Sequence, residues 1–125
     1  MSRRILTAVL VPLLLVGSGG AAQTVRVTDG DTLWVGDERV RLWGIDAPEA
    51  DTPEGTAATR HLSALVGSLP PGALACTRLY LDHHGRTVAR CLRPDGMDLA
   101  CAMVRAGHAR DWPRYSGGHY RDCAP

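Results

Sequence analysis

Four cysteines, Cys76, Cys91, Cys101 and Cys123, all fall in the second half of a chain of 125 residues, and their number and placement limit what the chain can become. Met1-Ser2-Arg3-Arg4 is a short positive segment, followed by a nearly continuous apolar run from Ile5 to Val16 and by small residues up to Ala22. That order predicts a secretory signal peptide over residues 1–22 and an exported, periplasmic or secreted, product of 103 residues with no membrane segment of its own. A domain of that size has a modest core, and an even cysteine count in an oxidising compartment predicts two disulfides. No Cys-x-x-Cys pair suggests zinc instead.

The periodicity of the rest fixes the partners. Val25, Val27, Leu33, Val35, Val40 and Leu42 alternate with other residues, and Asp29-Gly30 and Gly36-Asp37 supply turns, so residues 24–43 read as a three-strand meander. From about Glu54 to Val66 the period becomes helical, with Ala57/Ala58, His61/Leu62 and Leu65/Val66 on one face. Leu74 to Leu81 and Thr87 to Leu92 then read as a hairpin around Asp82-His83-His84-Gly85, across which Cys76 and Cys91 can face each other if the register allows; of the three possible pairings this favours Cys76–Cys91 with Cys101–Cys123. Asp98 can cap a short second helix with Leu99, Ala102, Met103 and Ala106 on one face and Gly107 at its end. The tail from Trp112 has little periodicity. A Cys101–Cys123 bond would close a loop of roughly 20 residues around it, worth about 3 kcal/mol in the chain-entropy model. The order β-β-β-α-β-β-α predicts one mainly-β domain over 23–125, a five-stranded OB-type barrel without a full third helix.

Charge excludes one mode of action. All 14 basic residues are Arg; without Arg3 and Arg4, 12 of them face 13 Asp and Glu. This is no basic clamp that grips nucleic acid by net charge, so an anionic ligand must be met locally. Two segments offer the means: Asp29-Gly30-Asp31-Thr32 and Arg41-Leu42-Trp43-Gly44-Ile45-Asp46-Ala47-Pro48-Glu49. Asp31, Asp46 and Glu49, with the Ala47 carbonyl, are oxygen donors suited to a hard cation such as Ca²⁺, although the spacing is not that of an EF-hand loop. Arg41 and Arg86 are guanidinium groups suited to a phosphate gaining charge. Taken singly, each has a plainer reading as a turn, a loop pair or a solvated strand arginine.

Their joint occurrence in order resembles the staphylococcal-nuclease (thermonuclease) family. The blocks are Val27-Thr28-Asp29-Gly30-Asp31-Thr32-Leu33, Val40 to Glu49, Asp82-His83-His84-Gly85-Arg86-Thr87, Met103 to Ala109 and Trp112-Pro113-Arg114-Tyr115-Ser116. The resemblance implies a Ca²⁺-dependent phosphodiesterase acting on DNA and RNA, preferring single strands and leaving 3′-phosphate ends. It implies Asp31, Asp46 and the Ala47 carbonyl as metal ligands and Asp29 as support for Asp31. Glu49 would orient or deprotonate the attacking water, and Arg41 and Arg86 would hold the phosphate. His84 and Tyr115 are weaker candidates for seating substrate; His83-His84 replaces the basic residue and Tyr frequent in the family. The rival reading is a non-catalytic OB module that binds single-stranded nucleic acid or a protein without cutting, which the scarcity of aromatics and the lack of basic surplus disfavour. The nuclease too is expected to be a monomer.

Overall fold

The computed structural model describes residues 23–125; the signal peptide expected over 1–22 lies outside the described residues. Strands β1 (Val25–Asp29), β2 (Thr32–Val35) and β3 (Glu38–Leu42) form the expected antiparallel meander. Leu33, Val35, Val40 and Leu42 turn inward, which is why the alternation was legible. Two residues, Ile45–Asp46, make β4, and helix α1 runs over Pro53–Gly67. Thr52 caps α1 by accepting from Gly55 N, and Pro53 opens it, so the sequence supplies both start signals. Strands β5 (Ala75–Leu81) and β6 (Thr87–Leu92) form the hairpin, and β6 pairs parallel with β3.

The main sheet therefore runs β1-β2-β3-β6-β5. The parallel β3–β6 pairing and the helix between strand three and the hairpin are consistent with an OB-type topology. Gly72 N donates to Gln23 O (3.2 Å), joining the approaches to the two outer strands. Helix α2 (Leu99–Arg105) is capped by Asp98, whose carboxylate accepts from Ala100 N and Cys101 N.

Both disulfides form as the sequence predicts. Cys76 and Cys91 are register partners across the hairpin, and Cys101–Cys123 ties the tail to α2.

Several details differ from expectation. The five expected strands form the main sheet, and among the described residues two short strands are added: Arg110–Asp111 forms β7, antiparallel to β4. The tail is not featureless: Pro113–Ser116 makes one turn of helix, α3, and Arg121–Cys123 a turn of 3₁₀ helix. The buried stripe of α1 is narrower than expected, with Gly55, Ala58, Leu62 and Val66 inside and Ala57 exposed. In α2 the buried set is Leu99, Ala100, Met103 and Val104; Ala106 is exposed because the helix has already ended there.

The tail is held by polar bonds as well as sulfur. Tyr120 is fully buried, packs edge-on against Trp43, and donates its hydroxyl to Asp98 Oδ2 (2.9 Å). Asp111 Oδ1 accepts from Ser116 Oγ (2.5 Å) and from Tyr120 N (3.3 Å). Gly44 sits against this tail at φ +78°, where a Cβ would lie 2.8 Å from Ser116 Cβ and 3.0 Å from the Tyr120 ring. Only glycine fits both the backbone and the space.

Candidate active site

Strand alternation aims Arg41. Val40 and Leu42 enter the core, so Arg41 projects from the opposite face, where its register partner on β6 is Val88. Arg41 and Val88 both line a cleft of 280 Å³. Arg86 lines the same cleft from the residue just before β6, with His83 and His84 from the hairpin loop and Trp112 and Tyr115 from the tail. The two guanidinium groups expected to hold a phosphate are thus brought to one place.

The hairpin loop orients Arg86. Asp82 Oδ1 accepts from His84 N (2.9 Å) and Arg86 N (2.9 Å), and Oδ2 accepts from Arg86 Nε (2.8 Å). Burial alone would raise the Asp82 pKa, but these hydrogen bonds outweigh it and hold the carboxyl below its ordinary value. Asp82 remains ionised and clamps the guanidinium by its Nε, leaving the Nη edge unclaimed by that carboxylate.

The acids gather around Arg41. Its Nη2 lies 3.4 Å from Asp31 Oδ2 and 3.9 Å from Asp46 Oδ1, while Nη1 donates to Leu42 O (2.9 Å). Asp31 is nearly buried, at 8% exposure, in the tight turn between β1 and β2. Gly30 lets that turn pack close against α1 and the Ala47 loop: a Cβ there would lie 2.7 Å from Ala58 Cβ and 2.8 Å from Ala47 Cβ. Asp31 Oδ1 accepts from Thr32 Oγ1 (3.0 Å) and Oδ2 from Ala47 N (2.9 Å), so the Asp31 turn and the Ala47 loop are bonded directly. Asp29 Oδ1 accepts from Asp31 N (3.1 Å) and shapes the same turn.

Desolvation and the neighbouring Asp29 push the Asp31 pKa up to about 6, and Arg41 and the Ala47 N–H only partly oppose the rise.

Glu49 stands apart from this group. It is exposed, and among the described residues its side chain makes no hydrogen bond or ion pair; its carbonyl accepts from Thr52 N (3.1 Å) and Thr52 Oγ1 (2.7 Å). Its loop rests on the first turn of α1 so closely that a Cβ on Gly55 would fall 1.7 Å from Glu49 O. Of the three acids expected together, the structure gathers Asp31 and Asp46 around Arg41. Among the described residues, no three His, Cys, Asp or Glu side chains converge on one point.

Four participants were not singled out from sequence. Asp82 and Trp112 lay inside quoted motifs, but their roles depend on the fold. Trp112 backs Arg41, whose guanidinium carbon is 5.9 Å from the indole, and Trp112 N donates to Gly44 O (2.8 Å). Tyr80 reaches the cleft because a bulge between Arg78 and Tyr80 sets Tyr80, not Leu79, opposite Val88. Arg110 Nη2 lies 3.1 Å from Asp46 Oδ2, a contact made by the β4–β7 pairing, which is too short to leave a period in the sequence.

An OB-type sheet carrying a two-arginine cleft beside paired carboxylates defines a class suited to phosphate esters. The chain belongs to the staphylococcal nuclease homologue family, whose model matches residues 39–123. Asp29 and Asp31 precede the matched stretch. The chain is also 33% identical to the succinoglycan biosynthesis protein ExoI of Rhizobium meliloti, over 95% of its own length and 69% of that protein's. It is 37% identical to an uncharacterized endonuclease of Escherichia coli O157:H7, over 75% of its own length and 62% of that relative's.

Proposed function

We propose that this chain is an exported, Ca²⁺-dependent endonuclease that hydrolyses DNA and RNA, breaking the 5′-O–P bond and leaving 3′-phosphate ends. The observation that carries the reading is the meeting of Arg41 and Arg86 in one cleft, with Asp31 and Asp46 against Arg41. Family membership and the endonuclease naming of the Escherichia coli relative support it.

Asp31 and Asp46 fit a hard divalent cation. Both offer carboxylate oxygens, the donor type such a cation takes, and both lie against Arg41 at the edge of the cleft. The Ala47 carbonyl and water would complete the shell. When bound, Ca²⁺ supplies positive charge beside the scissile phosphate. The chain's own groups do the rest. Glu49 orients or deprotonates the attacking water, Arg41 and Arg86 donate to the phosphoryl oxygens as charge builds, and Arg86 steadies the departing 5′-oxygen.

Tyr80, Trp112 and Tyr115 line the cleft, and aromatic rings there suit stacking with unstacked bases, which supports a preference for single strands. With no net basic surplus, the grip is local, and binding should depend on salt less steeply than in a basic clamp.

The test is nicking of denatured DNA by the mature protein. Cleavage should stop in EGTA, return with Ca²⁺, and yield ends that become extendable only after phosphatase treatment. Saturable binding without turnover at millimolar Ca²⁺ would instead identify a binding module.

A second test needs no turnover. Because folding raises the Asp31 pKa from 3.8 to about 6, its contribution favours the fold fully below about pH 4 and is lost as pH rises through 6. In EGTA, Asp31→Asn is therefore expected to gain stability relative to wild type between pH 4 and 7, by an amount approaching about 3 kcal/mol. Ca²⁺ should cancel that gain, because a cation stabilises the wild-type carboxylate. Denaturant titrations across pH, with and without Ca²⁺, check it; equal pH profiles for the two proteins in EGTA would refute it.

A further inference from the structure

The fold pairs two histidines that the cleft does not use. His61 lies on α1, and His108 follows α2 in a loop fixed by His108 N donating to Met103 O (3.0 Å). Their ring centroids are 4.8 Å apart and the planes are inclined by 32°. Both residues are half-buried, and among the described residues neither ring makes a hydrogen bond. We propose that His61 and His108 bind one imidazole-preferring divalent transition ion, Zn²⁺ or Cu²⁺, with water completing its shell.

The separation suits the chemistry. Two imidazoles on one ion, with metal–nitrogen bonds of about 2.0–2.1 Å, have centroids about 4.5 Å apart at a right angle and about 5.2 Å apart at a tetrahedral angle. The observed spacing falls between these values, so a shared ion requires ring rotation and little backbone movement. Burial and the neighbouring His108 also lower the His61 pKa, favouring the neutral ring that a metal needs.

The site differs in kind from the oxygen cluster at Asp31 and Asp46. Neutral nitrogen donors suit late transition ions, whereas Ca²⁺ takes oxygen. An ion held here would brace α1 against the loop after α2. His108 also shares a surface depression with Asp46 and Ala47, so the test must separate the two sets of ligands.

The experiment uses the disulfide-bonded mature protein, stripped of metal and titrated calorimetrically with ZnCl₂ and CuCl₂, with thermal unfolding in parallel. One equivalent is expected to bind with micromolar affinity and to raise Tm by roughly 5 °C or more at saturation. His61→Gln and His108→Gln should each weaken binding at least tenfold, while Asp46→Asn and the double variant His83→Gln/His84→Gln retain it. The two single variants make the test independent of how well either one alone folds, which circular dichroism reports. The proposal is overturned by absence of binding up to millimolar Zn²⁺ and Cu²⁺, by binding that survives both single variants, or by binding lost in Asp46→Asn but kept in His61→Gln.

Discussion

Arg86→Gln is expected to lower kcat by about 10²–10³-fold while changing stability by no more than about 1 kcal/mol. The first half follows from position. Arg86 reaches the cleft that also holds Arg41, and a guanidinium that meets charge growing on phosphorus is worth more in the transition state than in the ground state. The second half follows from Asp82. Without the Arg86 side chain, Asp82 still accepts from the backbone N–H of residues 84 and 86, so its carboxylate is not orphaned and the hairpin keeps its turn. Asp82→Asn is a useful companion. It weakens the clamp on Nε without removing the guanidinium, and kcat should fall by about tenfold, less than for Arg86→Gln. Steady-state kinetics on denatured DNA, with chemical denaturation run alongside, distinguishes the roles. A rise in KM with kcat unchanged would make Arg86 a docking group rather than a stabiliser of the reaction.

What the sequence disclosed and what it hid have a common physical cause. Val25 to Leu42 could be read because β2 and β3 bury one face and Val25 and Val27 of β1 pack half-buried against the same core, which writes a period of two into the residues. The same alternation aims Arg41 away from the core, so its place in the cleft was implicit in Val40 and Leu42. The disulfides were legible for a similar reason: hairpin register sets Cys76 against Cys91. The width of a buried face was less accessible. Ala57 is apolar and suitably spaced, yet exposed, because a small side chain constrains a helix face weakly, and Ala106 is exposed because α2 ends before it.

The polar connections were the least visible. The Asp82 clamp spans only four residues, but a carboxylate in a turn and an arginine after it are common, and only coordinates show which nitrogen is engaged. Tyr80 reaches the cleft through a bulge that breaks the strand's own period. Arg110 meets Asp46 through a pairing of two residues. The motif identified Glu49 as an acid but said nothing of how its loop sits, and the loop leaves it exposed on the shoulder of α1. Tyr120 is buried by Trp43, Asp98 and Asp111, which come from three separate parts of the chain, so no local pattern marks it.

Asp98→Ala is expected to destabilise the protein by about 3 kcal/mol, since one carboxylate serves two ends of the fold. Oδ1 caps α2, and Oδ2 accepts from the Tyr120 hydroxyl (2.9 Å) and from Arg90 Nη2 (3.3 Å). Losing the cap costs about 0.5–2 kcal/mol. Stranding a buried hydroxyl costs about 1–3 kcal/mol more. At roughly 4–8 °C per kcal/mol for a domain of this size, Tm should fall by about 10–25 °C. Tyr120→Phe keeps the cap and the ring and should cost about 1 kcal/mol. The double variant should lose less than the sum, because the hydroxyl that Asp98→Ala strands is already gone. Additive losses in that cycle would mean the Asp98–Tyr120 bond contributes nothing. The effect on catalysis should be thermal rather than chemical. Tyr120 and Ser116 pack on Gly44, and Gly44 O accepts from Trp112 N, so an intact tail props the cleft wall behind Arg41. Well below its lowered Tm, the Asp98→Ala protein should cleave at close to the wild-type rate, and activity should collapse together with the unfolding transition.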